Sequence, residues 1–68
     1  MSEISTVIGT KIRQMRRAAK MSQDNLALHA DVDRSYLGRI ERGEANITLS
    51  MLYRIAAVLQ CDAKALLP

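Results

Sequence analysis

Residues 23–42 read QDNLALHADVDRSYLGRIER. Leu26, Ala27 and Ala30 recur at helical spacing, the pattern breaks across Asp31, Val32 and Asp33, and Leu37 and Ile40 resume it. This predicts two short helices joined by a tight turn and crossing at a steep angle. Ala27 is small where the two helices must approach, and Val32 plugs the turn. With Leu37 and Ile40 committed to the core, positions 34, 35, 38 and 39 fall on the free side of the second helix.

Outward from this stretch the same periodicity continues. On the N-terminal side Ile8, Ile12, Met15 and Ala19 form an apolar stripe, while Lys11, Arg13, Arg16, Arg17 and Lys20 fill much of the remaining cylinder. Gly9 lies inside that helix at a local cost of about 1 kcal/mol, which implies that another helix packs closely there. Four capping residues each follow an apolar residue that reaches the fourth helical position. Met21 precedes Ser22 and faces Leu26; Val32 precedes Asp33 and faces Leu37; Ile47 precedes Thr48 and faces Leu52; Cys61 precedes Asp62 and faces Leu66. Gly43 is placed to stop the second of the two short helices through a left-handed cap. Beyond it Leu49, Leu52, Ile55, Ala56 and Leu59 are expected on one buried face. These signals predict an all-α fold of five helices, and residues 1–68 read as a single domain.

Composition narrows the function classes. The chain has 68 residues, 49% of them hydrophobic, with two Tyr and neither Trp nor Phe, which suits one small helical core. Ten Lys and Arg against seven Asp and Glu give a net charge of +3, the sign expected of a polyanion binder. One histidine, His29, and one thiol, Cys61, provide no metal set of ordinary spacing, and no nucleophile–base pair or phosphate loop is evident. The expectation is therefore a binding module and not an enzyme, with no catalytic residues, no metal and no cofactor or small-molecule ligand. The lone cysteine and the lack of a secretory or membrane-spanning run read as cytoplasmic.

Four segments in order carry a resemblance: IGTKIRQMR at 8–16, SQDNLA at 22–27, SYLGRIERG at 35–43 and NITLSMLYRIAAVL at 46–59. Together they resemble the phage-repressor-like family of helix-turn-helix DNA-binding regulators, the Xre-type proteins with lambda-repressor-like five-helix domains. The family includes phage-type repressors, controller proteins of restriction–modification systems, antitoxins and metabolic regulators, and the residues do not separate them. The family usually has glycine in the turn, where this chain has Asp31, one of the few non-glycine residues that tolerates the left-handed region.

The resemblance implies a transcriptional regulator that occupies an operator on double-stranded DNA, with a recognition helix at about 33–42 in the major groove. Arg34, Ser35 and Arg39 would contact base edges, since arginine donates two hydrogen bonds to guanine. Gly38 would leave room for close approach of the DNA. Gln23, at a helix N-terminus that favours an anion, would bond a backbone phosphate. Asn46 and Thr48 are further backbone candidates, although capping explains Thr48 as well. Tyr36 has two open readings: packing on the sugar-phosphate backbone, or covering the core. Arg16 and Glu41 are implied as a structural ion pair between the first helix and the recognition helix. Lys11, Arg13, Arg17 and Lys20 read as diffuse attraction or solubility. A homodimer on an inverted-repeat operator is expected, joined near the C-terminal end through an apolar stripe of Met51, Val58 and Leu67. The alternative is a protein-interaction module or antitoxin that keeps the fold; two arginines and a serine on the recognition face favour nucleic acid.

Overall fold

The computed structural model describes residues 2–68. Four α-helices follow one another: α1 (Glu3–Ala18), α2 (Gln23–Ala30), α3 (Arg34–Glu41) and α4 (Leu49–Leu59). A single turn of 3₁₀ helix, Ala63–Leu66, takes the place of the expected fifth α-helix. Asp62 caps this turn as anticipated, but the residue after it, Leu67, is extended (φ −92°, ψ 156°). Leu67 precedes Pro68, whose ring disfavours the α region for its neighbour, so the helix does not propagate. Among the described residues there is no strand, and no helix is long and apolar enough to cross a membrane.

Each α-helix opens on a side-chain cap: Ser2, Ser22, Asp33 and Thr48 accept from the backbone N–H groups of Ser5, Asn25, Tyr36 and Met51. Their closing turns share a geometry too. Met21 and Lys20 donate to the carbonyls of Arg16 and Arg17, Val32 and Asp31 to those of Ala27 and Leu28, Glu44 and Gly43 to those of Arg39 and Ile40, and Cys61 and Gln60 to those of Ala56 and Ala57. This paired closure satisfies carbonyls that the helix leaves open, and it requires one residue in the left-handed region. Gly43 fills that role for α3 at φ 76°, and Asp31 for α2 at φ 56°. Lys20 and Gln60 fill it for α1 and α4, at φ 58° and 56°, without any sequence signal of the usual kind.

The core draws on every element. Ile12, Leu26, Leu37, Ile40, Ile55 and Leu66 are fully buried, each contributing about 1.5–3 kcal/mol by leaving water. Gly9 lies where α1 meets the last turn of α3: a β-carbon there would stand 2.2 Å from the Ile40 carbonyl oxygen and 2.8 Å from that of Glu41. Two residues assigned to apolar stripes lie outside the core. Ala19 is the exposed C-cap of α1, and Leu49, the first residue of α4, is 72% exposed; burial on α4 begins one turn later, at Leu52.

Candidate nucleic-acid interface

The face in question is built by α2, the turn at 31–33, and α3. Asp31 turns the chain in the left-handed conformation (φ 56°, ψ 50°), and Asp33 restarts it by accepting from Tyr36 N–H. On α3 the side chains of Leu37, Ile40 and Glu41 go inward; Ser35 and Arg39 are left on the opposite side, and Arg34, on the same face as Leu37 and Glu41, is exposed as the first residue of the helix. Arg34 Nε lies 3.0 Å from Asp24 Oδ1 on α2, but both side chains are largely exposed. A pair of that kind is worth little and yields readily to a stronger acceptor. The Arg39 guanidinium stands 6.0 Å from the centre of the Tyr36 ring, at the outer limit of a cation–π contact.

Beneath this face sits a buried carboxylate. Glu41 is 2% exposed and accepts from Arg16 Nε at 2.7 Å and Arg16 Nη2 at 2.9 Å, one bond to each oxygen. Arg16 Nη1 donates to the Met21 carbonyl at 2.9 Å. Gln23 Nε2 donates to Glu41 Oε1 at 3.0 Å, and Arg13 Nη2 reaches the Glu41 main-chain carbonyl at 3.5 Å. Burial alone pushes the Glu41 carboxyl up, but the hydrogen bonds from Arg16 and Gln23 and the charges of Arg16 and Arg13 outweigh it, holding the group below the ordinary carboxylate range. Its hydrogen bond to Glu41 raises Arg16 in turn. One carboxylate on α3 thus ties α1 and α2 to the helix that carries the exposed arginines.

Several assigned residues have neighbours that sequence spacing did not indicate. Gln23 was expected to address a phosphate, yet one of its amide hydrogens is already committed to Glu41. Tyr36 is half-buried against the core, and its hydroxyl donates to the Asn46 carbonyl, which favours the covering role among its two readings. The Asn46 side chain accepts from the Ser5 hydroxyl at 2.9 Å, while the Thr48 hydroxyl accepts from Met51 N–H at 3.1 Å as the α4 cap. Gly38 corrects the reading of an open approach. It is buried, and a β-carbon there would lie 3.2 Å from Arg42 Nη1 and 3.7 Å from Gln23 Oε1, because both side chains fold over it. Arg42, exposed and paired with Glu44 at 3.2 Å, is a basic residue of this face that sequence reasoning missed. The signal for it was its position four residues after a helical glycine.

The apolar stripe at the C-terminal end also changes. Met51 and Val58 are half-buried and pack against the core, so they do have intramolecular partners. The large exposed apolar residues of α4 are instead Leu49 and Tyr53, four apart, and Leu67 is exposed beyond them.

Comparison with known proteins gives a consistent picture. The helix-turn-helix family (HTH_3) matches residues 12–66. The control protein C.BamHI of Bacillus amyloliquefaciens is 37% identical over 67 residues, covering 97% of this chain and 83% of that protein. The crystal structure of the restriction-modification controller protein C.AhdI from Aeromonas hydrophila superposes with a TM-score of 0.89 at 34% identity, over 91% of this chain and 94% of the other. SinR, a master regulator for biofilm formation solved in complex with DNA, is 37% identical with a TM-score of 0.84, over 87% of this chain and 95% of the other.

Proposed function

Since the chain belongs to the helix-turn-helix family, we propose that it is a sequence-specific regulator of transcription that occupies an operator on double-stranded DNA through α3. The observation that carries this reading is the division of α3 into two sides. Leu37, Ile40 and Glu41 are buried, while Ser35 and Arg39 are exposed on the opposite side and Arg34 is exposed at the helix's first turn. A major groove accepts a helix presented in this way. In this reading Arg34, Ser35 and Arg39 contact base edges. Gln23, Asn46 and Thr48 contact the backbone, the latter two from the turn before α4, with Tyr36 supporting that turn from below. The SinR relative in complex with DNA and the charge of +3 support the same partner.

The unit on DNA is proposed to be a homodimer on an inverted-repeat operator. One module of this size offers few base contacts, and doubling the site supplies the missing specificity. The C-terminal apolar surface is the candidate interface: Leu49 and Tyr53 are exposed on one flank of α4, Met51 and Val58 are half-buried on the other, and Leu67 is exposed beyond the helix.

Selection of bound duplexes from a random DNA pool identifies the site, and binding of variants to the selected duplex then tests the roles. Arg39→Ala is expected to lower the preference for the selected duplex over random DNA by about 1–3 kcal/mol, while Gln23→Ala weakens both nearly alike. Equal loss of preference from both substitutions overturns the assignment of the recognition face.

A further inference from the structure

Glycine is a costly residue for the middle of α3. It destabilises a helix interior by about 1 kcal/mol relative to alanine, and α3 has only eight residues. At Gly9 the reason is a neighbouring backbone 2.2 Å from where a β-carbon would stand. Gly38 is different: the nearest atoms to its absent β-carbon are the ends of side chains, Arg42 Nη1 at 3.2 Å, Gln23 Oε1 at 3.7 Å and Gln23 Nε2 at 4.0 Å. Gln23 is also held from a second direction, through the bond from its Nε2 to the buried Glu41 carboxylate, while Arg42 Nε makes an exposed pair with Glu44 Oε2 at 3.2 Å that is worth little by itself and yields readily to a phosphate.

From this arrangement we infer that Gly38 is a positioning residue, whose missing side chain seats the Arg42 guanidinium beside the Gln23 amide and makes Arg42 a further contact to the DNA phosphate backbone. The inference rests on the DNA-binding reading above. Arg42 comes from the C-terminal end of α3 and Gln23 from the first residue of α2, so the glycine lets donors from two helices share one small area. With its guanidinium lying over Gly38, Arg42 runs along its helix, and an arginine seated in that way loses less side-chain freedom on binding than one extended into solvent. About half of the Arg42 side chain (52%) is exposed, which leaves donor capacity for an anion. A larger side chain at position 38 must take the volume that the two donors now occupy.

The test is a fluorescence-anisotropy titration of the full chain with its selected duplex and with random DNA over a range of salt. Arg42→Ala is expected to weaken both duplexes alike and to reduce the slope of log K against log salt by about 0.9, the value of one lost phosphate contact. Gly38→Leu is expected to weaken both duplexes about tenfold, equivalent to about 1.4 kcal/mol. In a Gln23→Ala, Arg42→Ala background the same leucine is expected to cost less than about twofold, since the groups it displaces are already gone. Gly38→Ala is the milder step: its thermal midpoint should equal or exceed that of the native chain, and its binding loss should be smaller and again confined to the native background. If Gly38→Leu does not fold, Gly38→Ala decides by the same comparison. An equal loss in both backgrounds overturns the inference, because the new side chain then collides with DNA itself; so does unchanged binding of Gly38→Leu to the native operator. A native chain that binds no duplex removes the DNA-binding reading instead.

Discussion

Replacing Glu41 by glutamine removes one negative charge from the junction of α1, α2 and α3 while keeping the side-chain volume. The Arg16 guanidinium is 9% exposed as a residue and spends two of its nitrogens on the two Glu41 oxygens, at 2.7 and 2.9 Å. In Glu41→Gln it keeps its bond to the Met21 carbonyl but faces a neutral amide with one acceptor oxygen. Breaking a buried pair by removing one partner costs about 3–5 kcal/mol. The lower end applies here, because the amide oxygen still accepts one bond. A chain of this size has a total stability of about 3–10 kcal/mol, so a third or more of it is at stake, and the thermal midpoint should fall by on the order of 15 °C.

The same substitution makes a pH prediction. Glu41 titrates in the native state below its unfolded value of about 4.3. Its contribution is therefore fully present above that unfolded value and is lost as pH falls through the lower native value. The gap between native and Glu41→Gln chains should be widest near neutrality and should close in acid. Urea unfolding followed by circular dichroism at several pH values measures this directly. Equal midpoints at neutral pH, or a gap that persists unchanged through the acid range, refutes the reasoning. An Arg16→Met, Glu41→Leu chain, which strands no charge, should lose less than Glu41→Gln.

Other expectations follow from single positions. Asp31→Gly relieves a left-handed non-glycine residue (φ 56°) and should raise stability by up to about 1 kcal/mol, read as a higher denaturation midpoint. Its exposed ion pair with Arg54, at 3.7 Å, is too weak to reverse that sign. Gly9→Ala drives a β-carbon against the Ile40 carbonyl oxygen and should cost about 3 kcal/mol, the upper part of the range for overpacking, since two backbones must separate to admit it; a folded chain with a native thermal midpoint contradicts the packing described. Tyr53→Glu, on an exposed position of α4, should leave the monomer's thermal midpoint nearly unchanged while lowering the mass found by light scattering and weakening binding to an inverted-repeat duplex; a native chain that is monomeric at every concentration and binds a single half-site rules out the proposed dimer.

Much of this protein is written in short-range pattern. The helix spacing around Leu26, Leu37 and Ile40, the caps at Ser22, Asp33 and Thr48, the stop at Gly43 and the close approach at Gly9 all depend on residues within about one helical turn or on a single residue type. The exposed placement of Ser35 and Arg39 follows from the same arithmetic, because burial of Leu37 and Ile40 leaves them the other side, whereas Arg34 shares the face of Leu37 and is exposed because it opens the helix. The left-handed ends at Lys20 and Gln60 had no such signature; there the paired closing bonds form and the next residues, Met21 and Cys61, pack back against the core. The bond from Gln23 to Glu41 spans 18 residues of sequence, and the roof of Gln23 and Arg42 over Gly38 exists only once α2 crosses α3. Periodicity says which side of a helix is buried. Which residues meet across two helices depends on their crossing angle and separation, and those are set by the packing of the whole core.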